Sequence, residues 1–264
     1  MSTSEVKKYL SYFDNDALAA KAAIDSYIAT NTPIKRLNTK DRDTLIKVTD
    51  LEKSYRVNRQ LVPALKGINL EIQKGEFVAI TGPSGSGKST LLQLMGGLDK
   101  PSRGSIIIDG IDLKILSDHK LAHFRGQTIG FVFQFFYLQP FLTVKRNVEV
   151  PSMFAGLPRH SRHEDIDKII KAVGLEDRIK HYPKELSGGQ IQRAAIARAL
   201  MNHPKVILAD EPTGNLDNAN SKAIIDLFDN IRIDFGTTIV VVTHDLSIAS
   251  HADRQIRLLD GKVL

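Results

Sequence analysis

The chain of 264 residues contains no cysteine. That excludes a disulfide framework and a thiolate metal site, and it fits a reducing compartment. There is no block of consecutive lysines and arginines either, although the formal net charge is +6. A basic balance spread this evenly points to an anionic membrane surface or to a nucleotide-binding protein with dispersed lysines, ahead of nucleic acid. No secretory leader is expected, because the N-terminal residues are too polar for an apolar leader segment. Uncharged runs of bilayer length are scarce. Gly126 to Val144 carries no charge, but Gln127, Gly130, Gln134, Gln139 and Pro140 interrupt it. A lipid-facing helix tolerates such residues poorly, so the span reads as a buried strand followed by a hydrophobic loop. At most a peripheral relation to a membrane is expected. What the chain does contain is an ordinary globular balance, 42% hydrophobic and 25% charged. It has enough apolar residues for one subdivided domain or two.

The most informative stretch is Thr81-Gly82-Pro83-Ser84-Gly85-Ser86-Gly87-Lys88-Ser89-Thr90. It fits the phosphate-binding pattern G-x-x-x-x-G-K-[ST] at Gly82, Gly87, Lys88 and Ser89. Phe77 to Thr81 before it is an apolar run of strand length, and Ser89 to Met95 after it reads as a helix. Strand, glycine-rich turn and helix together aim backbone N–H groups and a positive helix end at one phosphate. Glycines let the backbone curl around the anion without Cβ clashes. Lys88 then reaches the β- and γ-phosphates, and the Ser89 hydroxyl is placed to ligate Mg²⁺.

Residues 1–43 differ in character from the rest. Asp14-Asn15-Asp16 suits a helix N-cap ahead of the alanine-rich run from Ala17 to Ala29, and Thr30 to Pro33 ends it. The apolar face of this segment is weak, so it reads either as a solvated extension or as a partner-docking helix. Lys35 to Asp43 reads as a mixed-charge linker. Thr44 to Val48, Ile68 to Ile72 and Ser105 to Ile108 read as short strands of a small β layer. Tyr55 is expected between the first two, where its ring either packs or stacks on a base.

Thr128 to Phe133 reads as a strand that delivers Gln134, followed by the aromatics Phe135, Phe136, Tyr137 and Phe141. These are either core or a sticky surface. From Val144 to Leu175 the pattern becomes helical, with Ile166, Ile169, Ile170 and Val173 at spacings of three and four. His160, His163 and Glu164 lack further ligands at a fixed spacing and read as a solvated charged segment. Leu186-Ser187-Gly188-Gly189-Gln190 opens a helix to Met201 and is a second glycine-rich anion site by the same physics. Val206 to Ala209 and Thr237 to Val242 are continuous apolar runs, as strands buried on both faces require. Ala219 to Ile233 reads as the crossover helix between them, and Arg254 to Leu259 as a last short strand.

The buried strands end in Gly82, in Asp210-Glu211 and in Thr243-His244. Ligands of open parallel sheets bind at the carboxyl ends of strands, so these groups are expected to converge. Their chemistry is complementary: Lys88 and loop amides for phosphates, Asp210 with Ser89 for Mg²⁺, Glu211 to orient and polarise a water. His244 is placed to bond the γ-phosphate or that water. Phosphoryl transfer needs chiefly positioning and charge neutralisation.

From about residue 44 onward the chain resembles the nucleotide-binding subunit of ABC transporters. Gly82 to Thr90 corresponds to Walker A, Gln134 to the Q-loop glutamine, and Leu186 to Gln190 to the LSGGQ signature. Val206 to Glu211 corresponds to Walker B, Gly214-Asn215-Leu216-Asp217 to the D-loop, and His244 to the switch histidine. Tyr55 falls where the family places its adenine-stacking aromatic. The finer resemblance is to the lipoprotein-releasing and macrolide-export (LolD/MacB-like) branch. It rests on Gly96-Gly97-Leu98-Asp99, Phe131 to Phe135 and Ala209 to Asp217, with FtsE-like subunits as close relatives.

The resemblance implies an α/β fold: a P-loop NTPase (RecA-like) core, a small antiparallel β layer and an inserted helical subdomain at about 136–187. The domain would cover 44–264, with 1–43 an extension. It implies ATP and Mg²⁺ as cofactors, with Ser89, Gln134 and Asp210 about the metal. Glu211, His244, Gln134 and Lys88 would carry the catalysis. Ser187, Gly188, Gly189, Gln190 and Asp217 would contact nucleotide in an ATP-dependent head-to-tail dimer of two copies. An FtsX/MacB-like membrane permease would be the further partner, faced by the Phe135–Phe141 loop, and no nucleic acid is expected. The place implied is the cytoplasmic face of the cell membrane. The alternatives are an ATPase that signals mechanically through a permease-like partner, and a soluble ATPase acting on DNA or ribosomes. The latter usually carry a long coiled-coil insertion or two ATPase halves, and neither shows in this sequence.

Overall fold

The computed structural model of the chain describes residues 44–155 and 159–264. The expected helix after Asp14 and the linker lie outside the described residues. The chain enters through a long hairpin, β1 (Thr44–Val57) and β2 (Gln60–Gln73). Asn58 and Arg59 join them at φ 47° and 68°. Positive φ at both central residues is the mirror-image turn whose twist suits a two-residue hairpin. Both strands therefore run well past the short segments expected, and Tyr55 lies inside β1, opposite Val62. After the hairpin come β3 (Phe77–Thr81), α1 (Lys88–Met95), β4 (Arg103–Ile108) and β5 (Ile111–Asp112). β1, β2, β4 and β5 form an antiparallel sheet in the order β2-β1-β4-β5.

The chain continues through α2 (Asp118–Thr128), β6 (Ile129–Phe133), α3 (Val144–Phe154) and α4 (Arg159–Ala172). It then forms α5 (Gly188–Leu200), β7 (Val206–Asp210), α6 (Asn218–Phe235) and β8 (Thr238–Val242). It closes with α7 (Leu246–His251), β9 (Arg254–Leu259) and β10 (Lys262–Val263). These strands and β3 make a second sheet in the order β10-β9-β3-β8-β7-β6. Every pair in it is parallel except β10 with β9.

β3, β7 and β8 carry apolar residues without alternation because both of their faces are covered. Val206, Leu208, Val240 and Val242 face the core shared with the hairpin sheet and α1. Ile207, Ala209, Ile239 and Val241 face the core built from α3, α4, α5 and α6. Ile166, Ile169 and Ile170 on α4, with Val173 just past its end, are all fully buried in that second core. The fold is thus a P-loop NTPase core with an antiparallel layer on one side and helices between β6 and β7 on the other.

Register does the positioning. Ile80 of β3 is level with Val242 of β8, which is level with Asp210 of β7, itself level with Phe133 of β6. The residues that follow these four (Thr81-Gly82, Thr243-His244, Glu211 and Gln134) therefore leave the sheet at one edge. That edge is the carboxyl end of the parallel strands, where crevices of open α/β sheets form.

Candidate active site

The loop after β3 is shaped by its glycines. Gly82, Gly85 and Gly87 have φ of 151°, 79° and 101°. A Cβ on Gly82 would stand 2.1 Å from the Leu258 carbonyl oxygen, and one on Gly87 2.7 Å from that of Ala64. Only glycine admits both the conformation and the approach. α1 begins with Gly87 as its N-cap and no side chain satisfies its first N–H groups. Those donors are left for an anion.

The Lys88 ammonium is buried against the loop and donates to the carbonyl oxygens of Gly82 and Pro83 at 2.9 and 3.0 Å. Ser86 Oγ is buried with no hydrogen-bond partner. An orphan hydroxyl, uncapped amides and an ammonium folded into one loop suit a polyphosphate. The exposed outer residues Pro83, Ser84 and Gly85 leave its rim open.

Ser89 Oγ donates to Asp210 Oδ1 at 3.1 Å, joining the start of α1 to the end of β7. Burial pushes the Asp210 carboxyl above its usual range. The Ser89 hydrogen bond opposes this, the neighbouring Glu211 charge adds to it, and Lys88 opposes it. A partly buried carboxylate, whose burial outweighs the help of Ser89 and Lys88, forms with the Ser89 hydroxyl oxygen a fitting pair of hard oxygen ligands for Mg²⁺.

Glu211 follows in the left-handed region at φ 47° while its N–H bonds the Val242 carbonyl at 2.9 Å. A β-carbon in this region costs about 1–2 kcal/mol. The strained backbone turns the carboxylate out of the strand line towards His244, whose Nδ1 lies 2.9 Å from Glu211 Oε1. The expected strand-end set thus converges.

Gln134 joins this edge through its backbone and its side chain. Its carbonyl accepts from Asn215 Nδ2 at 2.9 Å, and its side-chain amide lies against Gly214, 3.0 Å from where a Cβ would be. Asn215 had no role beyond motif membership in the sequence; the structure makes it the tie between the segment after β6 and the segment after β7.

The second glycine-rich helix start is arranged differently. Ser187 Oγ accepts from the Gln190 N–H at 3.4 Å and Gln190 Oε1 accepts from the Ser187 N–H at 3.0 Å. This reciprocal cap fixes the entry to α5. Gly189 passes Asn220 so closely that a Cβ would meet its Oδ1 at 2.5 Å, and Gly188 sits by Leu216. Asp217 caps α6, accepting from the Asn220 N–H at 2.8 Å, and these contacts hold its carboxyl below the usual range. Among the described residues no hydrogen bond joins Ser187–Gln190 to the loop Gly82–Thr90. One chain therefore carries two anion-binding helix starts that do not meet each other through hydrogen bonds.

Tyr55 sits on β1, next to the strand whose Ala64 carbonyl borders the phosphate loop at Gly87. It pairs with Val62, two residues from Ala64, whose carbonyl is in contact range of Gly87. Its ring is 37% exposed. The Phe135–Phe141 segment resolves as surface: Phe135, Tyr137 and Phe141 are exposed, the last at 72%. Arg198 holds its backbone, donating to the carbonyls of Phe136, at 2.9 Å, and Tyr137. Met153 and Phe154 at the end of α3 are exposed as well.

Residues 65–214 match the family model described as ABC transporter. The chain is 47% identical over 219 residues to the lipoprotein-releasing system ATP-binding protein LolD of Bacteroides thetaiotaomicron, covering 83% of this chain and 99% of LolD. It is 50% identical over 221 residues to the macrolide export ATP-binding/permease protein MacB of Rhodopirellula baltica. That match spans 83% of this chain but only 32% of MacB. Among solved structures, the dimeric MJ0796, a bacterial ABC transporter cassette, superposes with a TM-score of 0.76 at 45% identity. The match covers 83% of this chain and 96% of the cassette. A further structure of that cassette holds ADP and Pi in a post-hydrolysis state. With the phosphate loop, the Ser89–Asp210 pair and the Glu211–His244 pair at one sheet edge, these matches show that the chain belongs to the ABC transporter family, as an ATP-binding and ATP-hydrolysing cassette that uses Mg²⁺.

Proposed function

We propose that two copies of this chain meet head to tail and close around ATP, and that the cycle drives a separate membrane permease. The observation that carries the reading is the pair of anion-binding helix starts. In one chain the start of α1 is uncapped and glycine-lined, while the start of α5 is held against Leu216 and Asn220. A triphosphate on the Lys88 loop of one copy has room for a second helix N-terminus, and Ser187, Gly188, Gly189 and Gln190 of the other copy supply it. The dimeric form of the MJ0796 cassette supports this arrangement.

In this reading Lys88 and the amides of Gly82 to Thr90 hold the β- and γ-phosphates. Ser89, Asp210 and Gln134 hold the Mg²⁺, which when bound neutralises charge on the phosphate oxygens. Glu211 accepts hydrogen-bond donation from the attacking water and aligns it with the γ-phosphorus. His244, fixed by Glu211, donates to a γ-phosphate oxygen. Asp217 orders the start of α6 at the seam between copies, and Tyr55 stacks on the adenine. Breaking the β–γ bridge removes the group shared by the two copies, so hydrolysis opens the pair.

Residues 44–264 form the nucleotide-binding domain with a helical subdomain at about 136–187, and 1–43 is an extension outside it. The exposed Phe135, Tyr137, Phe141, Met153 and Phe154 offer an apolar surface of the kind that marks an interaction site. A permease segment is its partner in this reading. No helix among the described residues is long and apolar enough to cross a membrane. The chain then sits peripherally on the cytoplasmic face of the membrane, in an export system of the lipoprotein, peptide or drug type. The LolD and MacB matches support this branch. The test is the ATPase rate per chain against protein concentration. It rises until the dimer saturates if two copies form each site, and it is flat if one copy suffices.

A further inference from the structure

The Gly96–Asp99 segment marks the branch in the sequence, yet nothing in the hydrolytic set uses it. Its geometry is specific. α1 ends in a tight turn in which Gly96, Gly97 and Leu98 donate to the carbonyls of Leu92, Leu94 and Gln93 at 2.8, 3.0 and 2.9 Å. Gly96 is pressed on the Phe131 ring, where a Cβ would stand 2.4 Å from Cζ, and Arg125 donates to the Gly97 carbonyl at 2.9 Å. Asp99 is therefore fixed relative to the helix whose first residue is Lys88.

Its carboxylate reaches across to β1. Asp99 Oδ1 accepts from the buried Lys53 ammonium at 2.7 Å, and Asp99 Oδ2 accepts from the Tyr55 hydroxyl at 3.0 Å. Lys53 also donates to the Lys100 carbonyl at 2.7 Å, and its ammonium lies over one face of the Tyr55 ring, 4.9 Å from the centroid. Partial burial alone would raise the Asp99 carboxyl. Lys53, the Lys100 N–H and the Tyr55 hydroxyl outweigh it and hold the group below its usual range, charged at neutral pH.

We infer that Asp99 and Lys53 are positioning residues for nucleotide recognition: they lock the Tyr55 ring at a fixed orientation relative to the phosphate loop, so that it presents one face to the purine base. The inference rests on the reading that Tyr55 stacks on adenine. The carboxylate grips the ring by its hydroxyl, and the ammonium covers the ring's other side. A ring ordered before binding loses no rotamer freedom when the base arrives, which is how preorganisation raises affinity. The order comes from the far end of the helix that holds the phosphates. Base and phosphate subsites are thereby tied into one frame across 46 residues of sequence.

The experiment compares two ligands on the full chain: ATP, which has a base, and inorganic tripolyphosphate, which has none, the latter measured as a competitor. The variants are Tyr55→Ala, Tyr55→Phe, Asp99→Ala and the double Tyr55→Phe/Asp99→Ala. Tyr55→Phe keeps the ring and the Lys53–Asp99 pair and deletes only the grip, so it decides the matter even if Asp99→Ala fails to fold. Tyr55→Phe and Asp99→Ala are expected to weaken ATP about threefold to tenfold, the range for re-ordering one side chain. Tripolyphosphate affinity should stay at the wild-type value, and the double variant should be no weaker than the weaker single. If Tyr55→Ala weakens ATP while Tyr55→Phe and Asp99→Ala do not, the stacking reading stands and the inference falls. Should Tyr55→Ala leave ATP binding unchanged, the stacking reading falls, and the inference with it. Equal weakening of ATP and tripolyphosphate in Asp99→Ala would show action on the phosphate loop and overturn the inference.

Discussion

Replacing Glu211 by glutamine isolates the charge of one carboxylate. The side chain keeps its length, the backbone keeps its left-handed conformation at φ 47°, and an amide oxygen can still accept from His244 Nδ1 across the 2.9 Å contact. What is lost is the ability to draw a proton from the attacking water. Positioned proton acceptors contribute roughly 10²–10⁴ in rate, or about 2.7–5.4 kcal/mol at 1.36 kcal/mol per tenfold. Folding should not suffer, because Glu211 adds to the upward push on Asp210 and its neutralisation removes that repulsion. The assay is phosphate release at saturating ATP and Mg²⁺, beside a thermal melt of the nucleotide-free protein. A kcat down by at least a hundredfold with an unchanged or raised Tm is the expected result. A kcat within threefold of wild type would remove Glu211 from the hydrolytic step. A Tm lower by about 5 °C or more, of order 1–2 kcal/mol for a domain this size, would make its role structural.

Asp210→Asn is expected to stabilise the nucleotide-free protein at neutral pH. The folded carboxyl is raised above its unfolded value, so its favourable contribution is full below the unfolded value and is lost as pH rises through the folded one. Melts against pH should show the gain over wild type at pH 7 vanish on acidification below the ordinary aspartate range, and Mg²⁺ should no longer strengthen ATP binding. Lys88→Ala removes a charge-assisted donor of about 1.5–3 kcal/mol, so calorimetry should find ATP bound about 10- to 150-fold more weakly. Gly82→Ala places a Cβ 2.1 Å from the Leu258 carbonyl, so the loop and the end of β9 must move apart. A lowered Tm together with weakened ATP binding is expected, and a wild-type value for both would contradict the loop geometry.

The parts legible in the sequence are those governed by short-range rules. The phosphate loop is readable because only glycine tolerates φ of 151° and 101° at Gly82 and Gly87. β7 and β8 appear at their expected places because unbroken runs such as Val206 to Ala209 suit strands covered on both faces. Ile166, Ile169 and Ile170 announce α4 by spacing, and Val173 carries the pattern one residue past its end. The length of the first hairpin is not legible in the same way. Arg59 occupies a left-handed turn position where glycine is the usual signal, so nothing marks the two strands as continuous up to Val57 and Gln60. At the site, the convergence of Gly82, Glu211 and His244 follows from parallel-sheet logic alone. The Lys53–Asp99–Tyr55 group does not, since its members come together only through tertiary packing. The one available signal is that Lys53 and Tyr55, two apart in a strand, share a face. The strained backbone of Glu211 has no sequence signature at all.

The central claim is that one nucleotide is held between the Lys88 loop of one copy and the Ser187 helix start of another. Light scattering of Glu211→Gln with saturating ATP and Mg²⁺ tests it most directly, with Glu211→Gln/Ser187→Phe alongside. The account predicts twice the chain mass for the first and the single-chain mass for the second, with ATP still bound to both. Glu211→Gln remaining at the single-chain mass while saturated with ATP, or a double variant that dimerises equally well, would contradict it.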